Sequence, residues 1–168
     1  TTLFRSVQLL VERNRIADDC LQAVANFAFE RGRTNIILRG ASPISPENRQ
    51  FIDERRRAAD RHIASALEKL PASAVGRGEA VRKAWEEIGV RRNEADHDMV
   101  LPLDRRNPQL PKQWMADSDR LIDRVETLLL RGNRSMSEDL VIDLNRVINR
   151  HIPRLARRGF PTVYLAKH

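Results

Sequence analysis

From Thr1 to Arg39 the chain contains no proline and a single glycine, Gly32. Apolar or small residues fall at Leu3, Val7, Leu10, Ala17, Leu21, Val24, Ala28 and Leu38, in steps of three and four, with Asn14, Arg31 and Asn35 filling the gaps. Steps averaging three and a half residues form one stripe of a helix, the seam used when helices pack nearly parallel. A helix of about 38 residues spans roughly 55–60 Å at 1.5 Å per residue. A chain that begins this way is expected to be all-α.

The punctuation that follows predicts the remaining elements. Gly40-Ala41-Ser42-Pro43 stops the first helix, and Ser45-Pro46 restarts one as N-cap and first helical residue. The second helix runs to about Leu70 on Ile52, Ala59, Ile63, Ala66 and Leu70, and Pro71 with Gly76-Arg77-Gly78 breaks it. The third, from about Glu79 to Val100, turns Val81, Ala84, Trp85, Ile88 and Ala95 inward. Leu101 to Pro111 holds three prolines and reads as a loop. The fourth, from about Lys112 to Arg131, carries Trp114, Leu121, Val125 and Leu128. Ser135-Met136-Ser137-Glu138 fits a capping box ahead of a fifth helix with Leu140, Leu144, Val147, His151 and Leu155 on one stripe, kinked or split at Pro153. The expected fold is therefore an elongated antiparallel bundle of about five helices with a long first helix, one domain over residues 1–168.

Composition narrows the function classes. At 168 residues the chain is long enough for a core, and 41% hydrophobic residues at regular spacing exclude a disordered segment. One cysteine, Cys20, excludes a disulfide framework. The longest uncharged run, Cys20 to Phe29, is far short of the roughly 18 residues a membrane span needs. The formal charge is +7, and of the 30 basic residues only Lys69, Lys83, Lys112 and Lys167 are lysine, leaving 26 arginines. The arginines are interleaved with 23 acidic residues, as in Asp53-Glu54-Arg55-Arg56-Arg57 near Asp60, whereas binders of a nucleic-acid backbone gather basic charge on one face. Nucleic acid is thus the weaker expectation.

Glu30-Arg31-Gly32-Arg33-Thr34-Asn35-Ile36-Ile37-Leu38 has an echo in Arg157-Arg158-Gly159-Phe160-Pro161-Thr162-Val163-Tyr164-Leu165. Glycine inside a helix costs about 1 kcal/mol against alanine, so Gly32 and Gly159 are expected to mark close helix approach. The first of these segments, preceded by Phe29 and followed by a Gly/Ser/Pro break and Arg56-Arg57-Ala58-Ala59-Asp60-Arg61-His62-Ile63, resembles the helical extracytoplasmic sensor domains of bacterial transmembrane receptors, most of all the nitrate- and nitrite-sensing kind. Trp114 followed by Leu121-Ile122 resembles a later helix of such domains, and the resemblance covers most of the chain. Ala28 stands where the nitrate-sensing pattern has Gln, Pro153 interrupts the second copy, and Arg157 stands opposite Glu30. The resemblance therefore implies the sensor class rather than nitrate as the ligand. It implies a periplasmic part of an inner-membrane protein, adjoining transmembrane helices, a homodimer, and a cytoplasmic output module such as a histidine kinase, a diguanylate cyclase or a chemotaxis module. A domain between two spans needs an even number of crossings, so a count of five implies either that two segments merge or split differently or that returning helices are missing, and a fragment truncated at the C-terminal end is the favoured expectation.

Arginine presents five donors in a fixed fork, which suits planar oxyanions and carboxylates. Arg31, Arg33, Asn35, Arg157 and Arg158 are the candidate ligand site, for a small anionic ligand between helices. The alternative for each arginine is a bundle carboxylate such as Glu30 or Asp60. Glu94-Ala95-Asp96-His97 is half of a di-iron motif, but no second Glu-x-x-His exists, so a solvated face is expected and no metal or cofactor. His62 and His151 are expected to pack neutral, Cys20 to fill space, and Trp85 and Trp114 to anchor the core. No catalytic motif occurs, and no enzymatic activity is expected of these residues. The competing function is a cytoplasmic basic helical module that binds nucleic acid or a partner protein.

Overall fold

The computed structural model describes the backbone of residues 2–132 and the side chains of 8 and 11–129. All of these up to Arg131 belong to the first of two compact units, Thr1–Arg131. The described residues are all-helical: α1 (Thr2–Arg39), α2 (Pro46–Glu68), α3 (Val75–Met99) and α4 (Leu110–Gly132), with 3-10 turns at Ala72–Ala74 and Leu103–Arg105. The expected fifth helix, with His151, Pro153, Arg157, Arg158 and Gly159, lies outside the described residues.

Side-chain pairs fix the directions. Along α1 from Arg33 through Asn26 to Asp19, the α2 partners are Asn48, Arg55 and His62, so the two helices run antiparallel. On α3, Asp96 meets Arg49 and Arg56, while Arg92 and Trp85 meet Asp60, again antiparallel. Arg91 with Asp117, and Glu87 with Arg120, set α4 antiparallel to α3. Ser45 caps α2 by accepting from the Asn48 N–H at 3.3 Å, with Pro46 first in the helix, as the sequence predicted.

The expected seams of α2, α3 and α4 match the core: Ile52, Ala59, Ile63, Ala66, Val81, Ala84, Ile88, Ala95, Trp114, Leu121, Val125 and Leu128 are buried, and Leu70 and Trp85 pack against them partly buried. Phe27 lies between Trp85 and Trp114, with ring centroids 5.7 and 6.1 Å away. Such tilted aromatic contacts add to the burial itself.

The seam of α1 is displaced by one residue from the expected one. Cys20, Ala23, Phe27, Glu30, Thr34 and Ile37 are buried, while Leu21 and Ala28 are exposed; of the expected seam, Leu38 is buried and Val24 packs partly buried against the core. The glycines differ too. A Cβ on Gly32 would meet nothing within 4 Å, so among the described residues Gly32 marks no close approach. A Cβ on Gly78 would run into the Leu70 Cδ1 methyl. Gly76-Arg77-Gly78 is therefore no break: it forms the first turns of α3, and Gly78 lets the end of α2 lie against it.

Candidate functional site

One turn beyond Phe27 on the same face of α1 stands Glu30, fully buried. A carboxylate taken out of water costs several kcal/mol unless it is paired and hydrogen-bonded. Two arginines from two other helices supply this. Arg92 of α3 grips it with a fork, Nε to Oε1 at 2.8 Å and Nη2 to Oε2 at 2.6 Å. Arg56 of α2 donates its Nε to Oε1 at 3.0 Å. Parallel donors in a bidentate pair fix orientation as well as adding energy.

The network continues outward from both arginines. Arg92 Nη1 donates to Asp60 at 2.8 Å, and the Trp85 indole N–H donates to the same carboxylate oxygen at 3.0 Å. The Arg92 guanidinium also sits 5.4 Å from the Trp85 ring centroid. Arg56 grips Asp96 with both terminal nitrogens, at 2.8 and 3.1 Å, and Arg49 donates to Asp96 at 2.8 Å. Burial disfavours the charged Arg56, but Asp96 and Glu30 together outweigh it and hold its pKa above the ordinary value. Burial likewise opposes ionisation of Asp96, and the arginines overcome it, leaving that carboxyl below its usual value. Three arginines and three carboxylates thus form a charge-balanced lock across α1, α2 and α3.

Two smaller polar clusters tie other ends. Arg106, in the turn before α4, is buried and caps the end of α1. Its Nη1 donates to the carbonyls of Ile37 at 2.6 Å and Gly40 at 2.9 Å, its Nη2 to that of Ser42 at 2.8 Å and its Nε to that of Leu101 at 2.8 Å. These carbonyls include ones that a helix end leaves without partners. At the other end of α2, Asp19 accepts from Ser65 Oγ at 2.7 Å and Lys69 Nζ at 2.9 Å, and lies 3.0 Å from His62 Nδ1. Hydrogen bonds from His62 and Lys69, helped by Ser65, outweigh burial and hold the Asp19 carboxyl well below the usual carboxylate range.

The residues singled out from the sequence are not gathered in one place. Arg31 turns to α4, where it pairs with Asp119 and its carbonyl accepts from the Trp114 indole N–H at 3.0 Å; its buried Nε has no partner among the described residues. Arg33 turns to α2, donating to Asn48 at 2.8 Å and lying 4.7 Å from the Phe51 ring centroid. Asn35 accepts from Arg39 on its own helix at 3.1 Å. Two residues apart is about 200° around a helix, which sends Arg31 and Arg33 to different neighbours. Arg157 and Arg158 lie outside the described residues. Glu94 pairs with Arg91 on its own helix, and no group of three metal-ligating side chains occurs among the described residues. Cys20 is buried, and burial followed by the Asp19 carboxylate pushes its thiol up to about 11, the behaviour of a packing residue.

Sequence reasoning passed over Arg56, Arg92, Asp96 and Arg106 as site residues. A signal existed for two of them: Arg56 interrupts the series Ile52, Ala59, Ile63, and Arg92 interrupts Ile88, Ala95, Met99, each at a seam position. Chemically, the arrangement offers charge pairs between helices. No helix among the described residues is long and apolar enough to cross a membrane. Compared with known proteins, the chain matches no family model, no curated protein and no solved structure.

Proposed function

We propose that this chain is the ligand-sensing, extracytoplasmic part of a bacterial transmembrane signalling receptor. In this reading it is an elongated antiparallel bundle of about five helices with a long first helix, and works as a homodimer. Occupancy by a small anionic ligand is passed through helix shifts to a cytoplasmic histidine kinase, diguanylate cyclase or chemoreceptor module. The chain itself carries no catalysis and needs no cofactor.

The observation that supports this reading most is the position of the lock. Glu30 and Arg31, adjacent in the Glu-Arg-Gly stretch that carries the family resemblance, reach α2, α3 and α4, the other helices among the described residues. Glu30 is held by α2 and α3, and Arg31 pairs with α4. A ligand moves such an assembly only if it binds two packings unequally. Charge pairs that exchange partners give discrete alternative packings of the kind a signalling helix needs. The competing reading, a cytoplasmic basic module for nucleic acid, requires free cations, yet Arg49, Arg56, Arg91 and Arg92 are engaged by carboxylates.

Topology tests the proposal. In the full-length parent protein, alkaline phosphatase fused within the α2–α3 connection at Pro71 is expected to be active, because it folds only outside the cytoplasm. Green fluorescent protein fused there is expected to stay dark after Sec-dependent export. The opposite pattern would overturn the sensor reading.

A further inference from the structure

The geometry points to a binding site for a small organic dicarboxylate in the cleft where the end of α1 meets the α3–α4 connection. The cleft measures about 370 Å³ and is lined by Leu38, Arg39, Leu103, Arg106 and Lys112, together with Asn107 and two prolines. Three of these carry positive charge, and among the described residues no acidic one lines it. The apolar part, Leu38 with Leu103, Pro108 and Pro111, gives a carbon chain something to lie on.

Arg106 makes the case more than a count of charges. Arg92 and Arg106 are the buried arginines among the described residues. Arg92 meets two carboxylates, Glu30 and Asp60. Arg106 meets none among the described residues, and its guanidinium is held only by neutral carbonyls of Ile37, Leu38, Gly40, Ser42 and Leu101. A buried cation without a counter-charge leaves a positive potential that an incoming anion satisfies. The nearby buried Asp98 accepts from the Asn107 N–H at 2.7 Å and lines a neighbouring cleft with Arg91 and Glu94. At the mouth, Arg39 spends its Nε on Asn35, and Lys112 has no partner among the described residues. These two exposed cations meet one carboxylate, and the field of Arg106 attracts the other.

The site deepens the proposed function, because Arg106 holds the last carbonyls of α1 and an anion beside it weakens that hold. Binding itself does not depend on the sensor reading. The test is isothermal titration of the 168-residue chain with succinate at constant ionic strength, with inorganic phosphate and nitrate as comparison probes. Succinate is expected to bind one-to-one and saturably, more tightly than phosphate or nitrate. The exposed double variant Arg39→Glu/Lys112→Glu, checked for an unchanged helical circular dichroism spectrum and melt, is expected to weaken binding about tenfold or more. Arg31→Gln/Arg33→Gln is expected to leave it within about twofold. Absence of saturable heat, equal binding by the Glu double variant, or preference for phosphate or nitrate would each overturn the dicarboxylate site. Those outcomes leave the topology result untouched, so failure of the site and failure of the sensor reading are told apart.

Discussion

Replacing Glu30 by alanine removes the carboxylate at the centre of the lock, and the cost follows from who is left behind. Arg56 retains both of its bonds to Asp96, so its charge stays matched. Arg92 does not fare so well. Its side chain is only 7% exposed, two of its three bonded nitrogens lose their acceptor, and its remaining partner Asp60 is 45% exposed. Breaking one side of a buried pair typically costs about 3–5 kcal/mol, because the surviving charge stays out of water. Alanine is the best helix former, so helix propensity adds nothing to the loss. For a chain of this size each kcal/mol moves the melting temperature by about 2–4 °C, so Glu30→Ala is expected to lower it by roughly 6–20 °C. Urea unfolding followed at 222 nm reads the same loss as a shift in midpoint at constant slope. Glu30→Gln keeps the volume and isolates the charge; it is expected to lose at least half as much. Glu30→Met combined with Arg92→Met removes both charges and is expected to recover most of the stability, because an apolar replacement of a buried pair is often neutral or better. A loss under about 1 kcal/mol for Glu30→Ala, the level of an exposed pair, would refute the idea that this carboxylate is dry and locked.

Other consequences are as direct. The folded Asp19 carboxyl titrates below its ordinary value of 3.8, so its stabilisation is whole above that pH and is lost as pH falls through the folded value. The urea midpoint of Asp19→Asn is thus expected to lie below that of the parent at pH 6, and the gap is expected to close as the pH is taken into the strongly acid range. Gly32→Ala points into open space and is expected to stabilise by about 1 kcal/mol from helix propensity alone. Gly78→Ala must displace the partly buried Leu70 methyl, which offsets part or all of the same gain, so it is expected to raise the midpoint less than Gly32→Ala does. Cys20, buried with its thiol raised to about 11, is expected to react with a disulfide reagent at pH 8 only as fast as the helices open, and at once in urea. Rapid labelling of the folded chain would contradict that burial.

The helices were readable because proline and glycine punctuate the chain and because α2 and α4 show a conventional contrast between faces, which α3 shares only weakly, with Arg92 and Asp98 buried and Val90 exposed. The face of α1 was not, and the reason is physical. Its buried face includes Glu30 and Thr34, while its exposed face includes Leu21, Phe29 and Ile36, so hydrophobicity does not mark which side is inside. A period of three and four fits both stripes, and the one richer in leucine and alanine is the wrong one by one residue. The site suffered the same fate. Arg31 and Arg33 attracted attention as neighbours in sequence, but a helix sends them to α4 and α2. Arg106 lies in a proline-rich turn, and nothing local distinguishes a capping arginine from a solvated one.

The lock itself obeys a rule that sequence does carry, once the correct face of α1 is known. Each of three helices has one charged residue standing where its buried series asks for an apolar one. Glu30 stands between Phe27 and Thr34, Arg56 between Ile52 and Ala59, and Arg92 between Ile88 and Ala95. A single buried charge in a seam is destabilising, and two of one sign are worse. One acid and two bases at the same level, backed by the outer carboxylates Asp60 and Asp96, satisfy one another and reject other registers. Sliding α1 by one turn relative to α2 and α3 would set Glu30 against apolar partners and take the buried acceptor from Arg92, while Arg56 would keep Asp96. The lock therefore acts as a register pin, the best-attested use of buried polar groups between helices. A pin has discrete positions rather than a continuum, which is why the same residues that specify the packing are the ones through which a ligand-driven helix shift would have to act.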